Sequence, residues 1–147
     1  MEISSIKRGY VDPDTDDLKT FKQSDGVHVP VAGIRDVDTQ TVTIAAGAAL
    51  SSAIDMRRFS GGFIMVSVWG GSAAIAFKKS TSEDGTYGIV RDTDGATLLE
   101  IGTVTAGEWI ALPSVLFPSH FLKVWSETGE SDVTQANEVT ITVALKA

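Results

Sequence analysis

A succession of short β-type runs, each broken by Gly, Asp or Pro, is the feature of this sequence that most constrains its fold. The first run, residues 41–44 (TVTI), alternates with period two, and the second, residues 63–69 (FIMVSVW), lies between two Gly-Gly pairs. Similar runs follow at spacings of roughly 8–12 residues; they are residues 73–78, 87–91, 97–104, 109–112, 121–126 and 139–145. Parallel strands would need longer crossovers than these spacings allow. The sequence therefore predicts an all-β fold, an antiparallel, jelly-roll-like β-sandwich of about eight strands.

The first 40 residues differ in character from the rest of the chain. They are polar and aperiodic, with four aspartates between residues 12 and 17 around a proline. Such a segment buries too little apolar surface to offset its own ordering entropy. We therefore expect an extended N-terminal arm over residues 1–40, ordered by partner contacts or pressed as loops on the domain, and a β-sandwich domain over residues 41–147.

Strand alternation assigns side chains to faces of the sheets. The alternating aliphatic residues of the last run, 139–145, point to one side and are expected in the core, as are Ile64, Val66 and Val68 of the run 63–69. The same rule places Trp69, Trp109 and Trp125 opposite the aliphatic residues of their own strands. Three interpretations stay open for them: core packing or cover by the arm, a protein–protein surface, and a sugar-binding platform.

Charge and composition exclude several classes of function. The chain has 12 Lys and Arg against 19 Asp and Glu, a formal net charge of −7, and its basic residues are scattered, so we expect no nucleic-acid partner. It has no cysteine, which excludes disulfides and Cys-ligated zinc. No stretch approaches the ~18 apolar residues of a membrane span, and the N-terminus has no signal-peptide pattern. We therefore expect the protein to be made in a cytosol and to have no membrane contact.

The segment SEDGTYGIVRDTDG contains two Asp-Gly pairs and is the strongest candidate for an ion site. Aligning the second pair on the EF-hand pattern places Val90 and Ile101 where the first and last oxygen ligands are needed, so that pattern fails. Asp-Gly pairs are typical of hairpin turns, which is the favoured interpretation. An improvised cation site formed by Asp84, Asp92 and Asp94 is the alternative.

Residues of the types used in catalysis do not occur in recognisable catalytic arrangements. His28 and His120 are the only histidines and do not occur in a metal-binding spacing. No nucleophile elbow precedes a helix, and no Gly-rich loop joins a strand to a helix. We expect no enzymatic activity, no catalytic or metal residues and no cofactor.

An ordered series of sequence pieces extends from residue 41 to residue 145. It resembles a family of small β-sandwich structural proteins, including capsid decoration-like proteins, of tailed bacteriophages and prophages. The pieces are TVTIAAGAALSSAID (41–55), FIMVSVW (63–69), AFKKSTSEDGTY (76–87), RDTDG (91–95), TAGEWIALPSVLFPSHFLKVWS (105–126) and QANEVTITVAL (135–145).

The resemblance implies a non-enzymatic virion structural protein, made in the host cytoplasm and located on the capsid surface. The first hypothesis is a capsid decoration or cement protein that binds the major capsid protein as a homotrimer and stabilises the head. The alternatives are a tail, neck or fibre-base component, and a carbohydrate-binding module on the virion surface. Under the last alternative the partner would be a glycan, which is less favoured than the capsid protein.

Under the decoration hypothesis three groups of residues are candidate contacts. The arm's large apolar residues would insert into pockets of the capsid or of a neighbouring subunit, or else pack on their own domain; they are Ile3, Ile6, Tyr10, Leu18 and Phe21. Arg57 and Arg58 would pair with carboxylates, or else belong to a solvated surface. The face bearing Trp69, Trp109 and Trp125 would pack against symmetry mates.

Overall fold

The computed structural model describes residues 37–147. This part of the chain contains ten β-strands and one short 3₁₀ helix, Ser114–Leu116, and no α-helix. The strands are β1 Val37–Ile44, β2 Ile54–Asp55, β3 Gly61–Val66, β4 Ala74–Ser80, β5 Gly88–Ile89, β6 Glu100–Ile101, β7 Ile110–Ala111, β8 Phe121–Thr128, β9 Ser131–Asp132 and β10 Val139–Lys146.

The strands form two antiparallel sheets. A four-stranded sheet has the order β1-β10-β3-β7, and a six-stranded sheet has the order β2-β8-β4-β5, with β6 paired to β4 and β9 paired to β8. β-branched residues dominate β10, which pairs along its whole length with β1 and over six residues with β3. The predicted all-β antiparallel sandwich is confirmed.

The core lies between the two sheets. The alternating residues of β10 that were expected to point inward are 0–1% exposed, and they meet Ile75 and Phe77 of β4 and Val124 of β8 in one apolar cluster. The intervening residues of β10 are half-buried on the other side of the sheet. The period-two pattern of the last run is therefore a correct indication of the core.

Two predicted strands are much shorter than expected. The runs 87–91 and 97–104 contribute only β5 and β6, which both pair with the same edge of β4. Between them the chain forms a narrow turn in which the Asp92 amide donates to the Thr97 carbonyl at 2.8 Å. Part of the backbone hydrogen bonding of this segment therefore lies within the turn and not in a long ladder.

The expectation that Val68 belongs to the core is wrong. β3 ends at Val66, and Val68 is 41% exposed. The chain leaves the sheet here because the Gly70 amide donates to Gln135 Oε1 at 2.8 Å and the Trp69 indole donates to the Ala73 carbonyl at 2.9 Å. Strand alternation no longer applies once these bonds turn the backbone.

β1 begins four residues before the sequence-based domain boundary, so residues 37–40 pair with residues 143–146 of β10. Within this extension Gln40 connects the two sheets. Its amide group donates to the Asp55 carbonyl at 2.7 Å and accepts from the Asp55 amide at 3.0 Å. The Gln40 side chain thus pairs with β2 as a neighbouring strand would.

A two-residue turn connects β8 to β9, with Thr128 opposite Ser131. Gly129 and Glu130 both have positive φ, 57° and 66°, as a type I′ hairpin turn requires. A positive φ is uncommon for Glu. The Glu130 amide donates to Glu127 Oε2 at 2.8 Å, which helps to hold the turn in this conformation.

Candidate interaction surface

The outer face of the four-stranded sheet is almost free of charge. Strand register places Thr39, Ala144, Phe63 and Ala111 in one row across the sheet, and Thr41, Thr142 and Met65 in the next. Among the strand residues of this face, Lys146 is the only charged one. This is unusual for a solvent-facing sheet in a chain with a net charge of −7.

Two large aromatic side chains stand on this uncharged face. Phe63 is 49% exposed and Trp109 is 50% exposed. With Ala144 they line one shallow apolar depression, and Val37, Phe63 and Ala144 line a second one beside it. We call Val37, Phe63, Trp109, Ala111 and Ala144 the outer patch. Contiguous apolar surface of this kind is typical of binding sites on soluble proteins.

The three tryptophans do not form one surface. Trp109 belongs to the outer patch, whereas Trp125 is 2% exposed and lies on the outer side of the six-stranded sheet. Trp125 packs with Ala49 and Ala76 under Leu98, its indole donates to Asp132 Oδ1 at 2.7 Å, and the Lys78 ammonium lies 4.3 Å from its ring centre. Trp125 is therefore the centre of a second, smaller core.

Trp69 has a third environment. It is half-buried, packs against the main core, and its indole N–H is satisfied by the Ala73 carbonyl. A sugar platform needs flat, accessible rings, and of the three tryptophans only Trp109 presents a ring of that kind. The alternation rule indicated correctly that Trp109 and Trp125 face away from the core, but it could not indicate what covers Trp125.

The two candidate arginines follow β2. Arg57 binds Asp55 through Nε–Oδ1 and Nη2–Oδ2 contacts of 3.0 and 2.8 Å, and its guanidinium lies 5.0 Å from the Phe121 ring centre. The side-chain hydrogen bond from Arg57 lowers the pKa of Asp55 to about 2. The Arg58 guanidinium stacks on the Phe59 ring at 4.9 Å. Arg57 is thus already engaged by a carboxylate of its own chain.

The arm residues proposed as capsid anchors, Ile3, Ile6, Tyr10, Leu18 and Phe21, lie outside the described residues. The outer patch contains only one of the sequence-based candidates, Trp109. Phe63 was not among them, although alternation in its run placed it opposite the core. Val37 and Ala144 carried no sequence signal because their proximity arises from pairing between distant segments.

Asp92 and Asp94 of the Asp-Gly segment hold its second turn. Asp94 accepts hydrogen bonds from the Ala96 and Thr97 amides at 2.9 and 2.8 Å and from the Thr97 hydroxyl. The bond from the Thr97 hydroxyl is the main reason that the pKa of Asp94 falls to about 2. Asp92 accepts from the Thr93 amide. Within residues 37–147 no group of three or more His, Asp or Glu side chains is arranged to hold a metal ion.

In the same part of the chain, no helix has the length and apolar character needed to cross a membrane.

Comparison with known proteins gives one structural similarity. No protein-family model matches the chain, and no curated protein does. A solved structure described as the crystal structure of SPBc2 prophage-derived protein YomS is 17% identical, with a TM-score of 0.49, and the match covers 80% of this chain and 99% of that chain. At this identity and TM-score, the similarity carries no conclusion about what this chain does.

Proposed function

We propose that this chain is a non-enzymatic structural protein of a tailed-phage virion, and that it acts as a capsid decoration protein through its outer patch. The observation that carries the proposal is the uncharged, aromatic-bearing face of the four-stranded sheet. A partner can cover this face without burying unpaired carboxylates, which would be costly. The ordered series of phage-like sequence pieces supplies the virion context.

The outer patch suits a stable contact because its exposed aromatic side chains are surrounded by small polar residues. Exposed Trp and Phe side chains are the usual sources of binding energy in interfaces. Around them, rows of threonines on β1 and β10 present hydroxyl groups that can bond to a partner or to water. The partner is the major capsid protein, with self-association into a trimer as a second use of the same face.

The test is binding to purified phage heads by fluorescently labelled protein. We expect Phe63→Ser combined with Trp109→Ser to weaken binding by about tenfold or more. Ile89→Ser is the matched control, because Ile89 is also exposed but lies in β5 of the other sheet. Equal binding by both variants would refute the assignment of this face. Labelling at tails or necks instead of heads would indicate a tail component.

The contribution of the arm needs a truncation that leaves the sheet intact. Removing residues 1–40 would also remove half of β1, including the Gln40 link between the sheets. A variant lacking residues 1–36 avoids this damage. Under the decoration proposal this variant binds heads more weakly than the full chain. Unchanged binding would mean that the domain alone accounts for binding, and it would refute a role for the arm.

A further inference from the structure

A buried carboxylate on the outer side of the six-stranded sheet lacks a hydrogen-bond partner. Glu127 in β8 is 0% exposed. Its Oε2 accepts from the Glu130 amide at 2.8 Å, but its Oε1 has no donor within residues 37–147. A buried carboxylate oxygen without a donor is costly, so a native structure that contains one calls for an explanation.

The register of the sheet brings a second glutamate to this oxygen. Glu127 lies opposite Ala74 on β4, and Glu100 of β6 lies opposite Ala76, two residues further along the same strand. Because both intervening side chains are only methyl groups, the two glutamates can meet above β4. Their carboxyl groups are within hydrogen-bonding reach. Two carboxylates can only repel each other, whereas a protonated Glu100 would donate to the free oxygen.

The other charged groups of this region are already engaged. Arg91 binds the Glu130 carboxylate, with an Nη2–Oε1 distance of 2.9 Å. Asp132 accepts from the Trp125 indole, and Lys78 lies over the ring of Trp125. β4 contributes only alanines here, and the covering segment near Ala49 and Leu50 carries no titratable group. A proton is therefore the cation best suited to the pair.

We propose that Glu100 and Glu127 share one proton and so form a pH-sensitive latch that fastens residues 91–101 over Trp125. We call residues 91–101 the strap. It is held at one end by Arg91 on Glu130 and in its middle by Leu98, which packs on the Trp125 cluster. At the other end β6 contributes only two residues to the sheet and Leu99 is buried in the main core, and the Glu100 contact adds to this hold.

The direction of the pH dependence follows from the contact. The hydrogen bond with Glu127, followed by desolvation and the nearby negative charge, raises the pKa of Glu100 above its usual value of 4.5. A carboxyl group whose pKa is higher in the folded state binds its proton more tightly when folded. The latch is therefore complete below about pH 4.5, the usual pKa of this group, and is released as the pH rises through the raised pKa of Glu100.

Two NMR measurements on the full chain test the latch. The first is the titration of the Glu100 side-chain carboxyl carbon, and the second is the hydrogen-exchange protection of the Leu99 and Ile101 amides in the strap. We expect protection to fall about tenfold, as the pH rises, for each unit by which the Glu100 pKa is raised. An ordinary Glu100 pKa would overturn the shared proton, and a raised pKa with unchanging protection would overturn the latch.

Variants separate the latch from general effects of charge. In Glu127→Gln the amide oxygen can still accept from the Glu130 amide, while the NH₂ group can donate to Glu100, so we expect strap protection to become independent of pH. Glu100→Gln makes the same donation from the exposed side and should give the same result if the first variant fails to fold. Glu138→Gln removes an equal charge from an exposed site and should retain the wild-type pH dependence. A pH-dependent strap in Glu100→Gln would overturn the proposal.

Discussion

Two neighbouring glycines in β3 allow a sharp test of the packing between β3 and β10. Neither Gly61 nor Gly62 has a positive φ, so an alanine is compatible with both backbones. A Cβ on Gly62 would lie 2.5 Å from the Ala144 carbonyl oxygen and 2.8 Å from Leu145 Cδ2, whereas a Cβ on Gly61 would meet nothing closer than Lys146 Cε at 3.7 Å. The two substitutions therefore add the same methyl group to a crowded and to an open position.

We expect Gly62→Ala to destabilise the protein by about 1–3 kcal/mol, the usual cost of overpacking. The Ala144 oxygen is part of the backbone, and it would have to move by about 0.5 Å to restore the shortest contact of 3.0 Å that a Cβ tolerates. Such a movement also strains the bond from the Leu112 amide to the Gly62 carbonyl, which is now 2.9 Å long. The expected fall in Tm is about 3–9 °C.

Gly61→Ala is the control and should leave the stability unchanged or raise it by up to about 1 kcal/mol, since alanine restricts the unfolded chain. Thermal unfolding followed by circular dichroism, with urea unfolding as a second measure, compares the two variants directly. If Gly62→Ala unfolds within about 1 °C of Gly61→Ala, the described register of β3 against β10 is wrong at this position.

Three further outcomes follow from single contacts. In Arg57→Ala the pKa of Asp55, followed by NMR, should rise from about 2 towards 3.8. The stability that the pair adds above pH 3.8, and loses as the pH falls through about 2, should then be absent. An unchanged titration would contradict the bidentate contact. Trp125→Phe should cost about 1–3 kcal/mol in urea unfolding, because a buried ring shrinks and the bond to Asp132 is lost; a neutral effect would contradict the second core. Asp94→Ala should lower the hydrogen-exchange protection of the Ala96 and Thr97 amides while amides in β10 keep theirs.

The sequence predicts the parts of this fold that depend on local alternation. The last run repeats apolar residues with period two, and β10 buries the expected side chains. Val68 belongs to an equally regular run, but the chain is bound to Gln135 at Gly70, two residues beyond it, and a bond between residues 65 positions apart leaves no local signal. The turn at Asp94-Gly95 was predictable because both its donors and its acceptor lie within a few residues.

The candidate sites were less predictable for the same reason. The outer patch assembles Val37, Phe63, Trp109 and Ala144 from strands that are distant in sequence. The Glu100–Glu127 pair depends on where two short strands meet β4, and β6 is only two residues long. Alternation predicted which way Trp125 points, but its cover comes from residues 49 and 98, which are far from it in the chain.

The Gln40 contact with Asp55 has a consequence for how copies of this protein can add to one another. An exposed strand edge is a template for another chain, and β1 offers an edge eight residues long. Gln40 occupies the backbone of Asp55 in β2, and Ser52 bonds to the amide and carbonyl of Thr43 near one end of β1, so this side is partly closed to strand addition. On the opposite side the sheets end in the two-residue strands β5, β6 and β7. Within residues 37–147, strand addition is therefore hindered at the Thr43 end of β1 and limited to short templates on the opposite side.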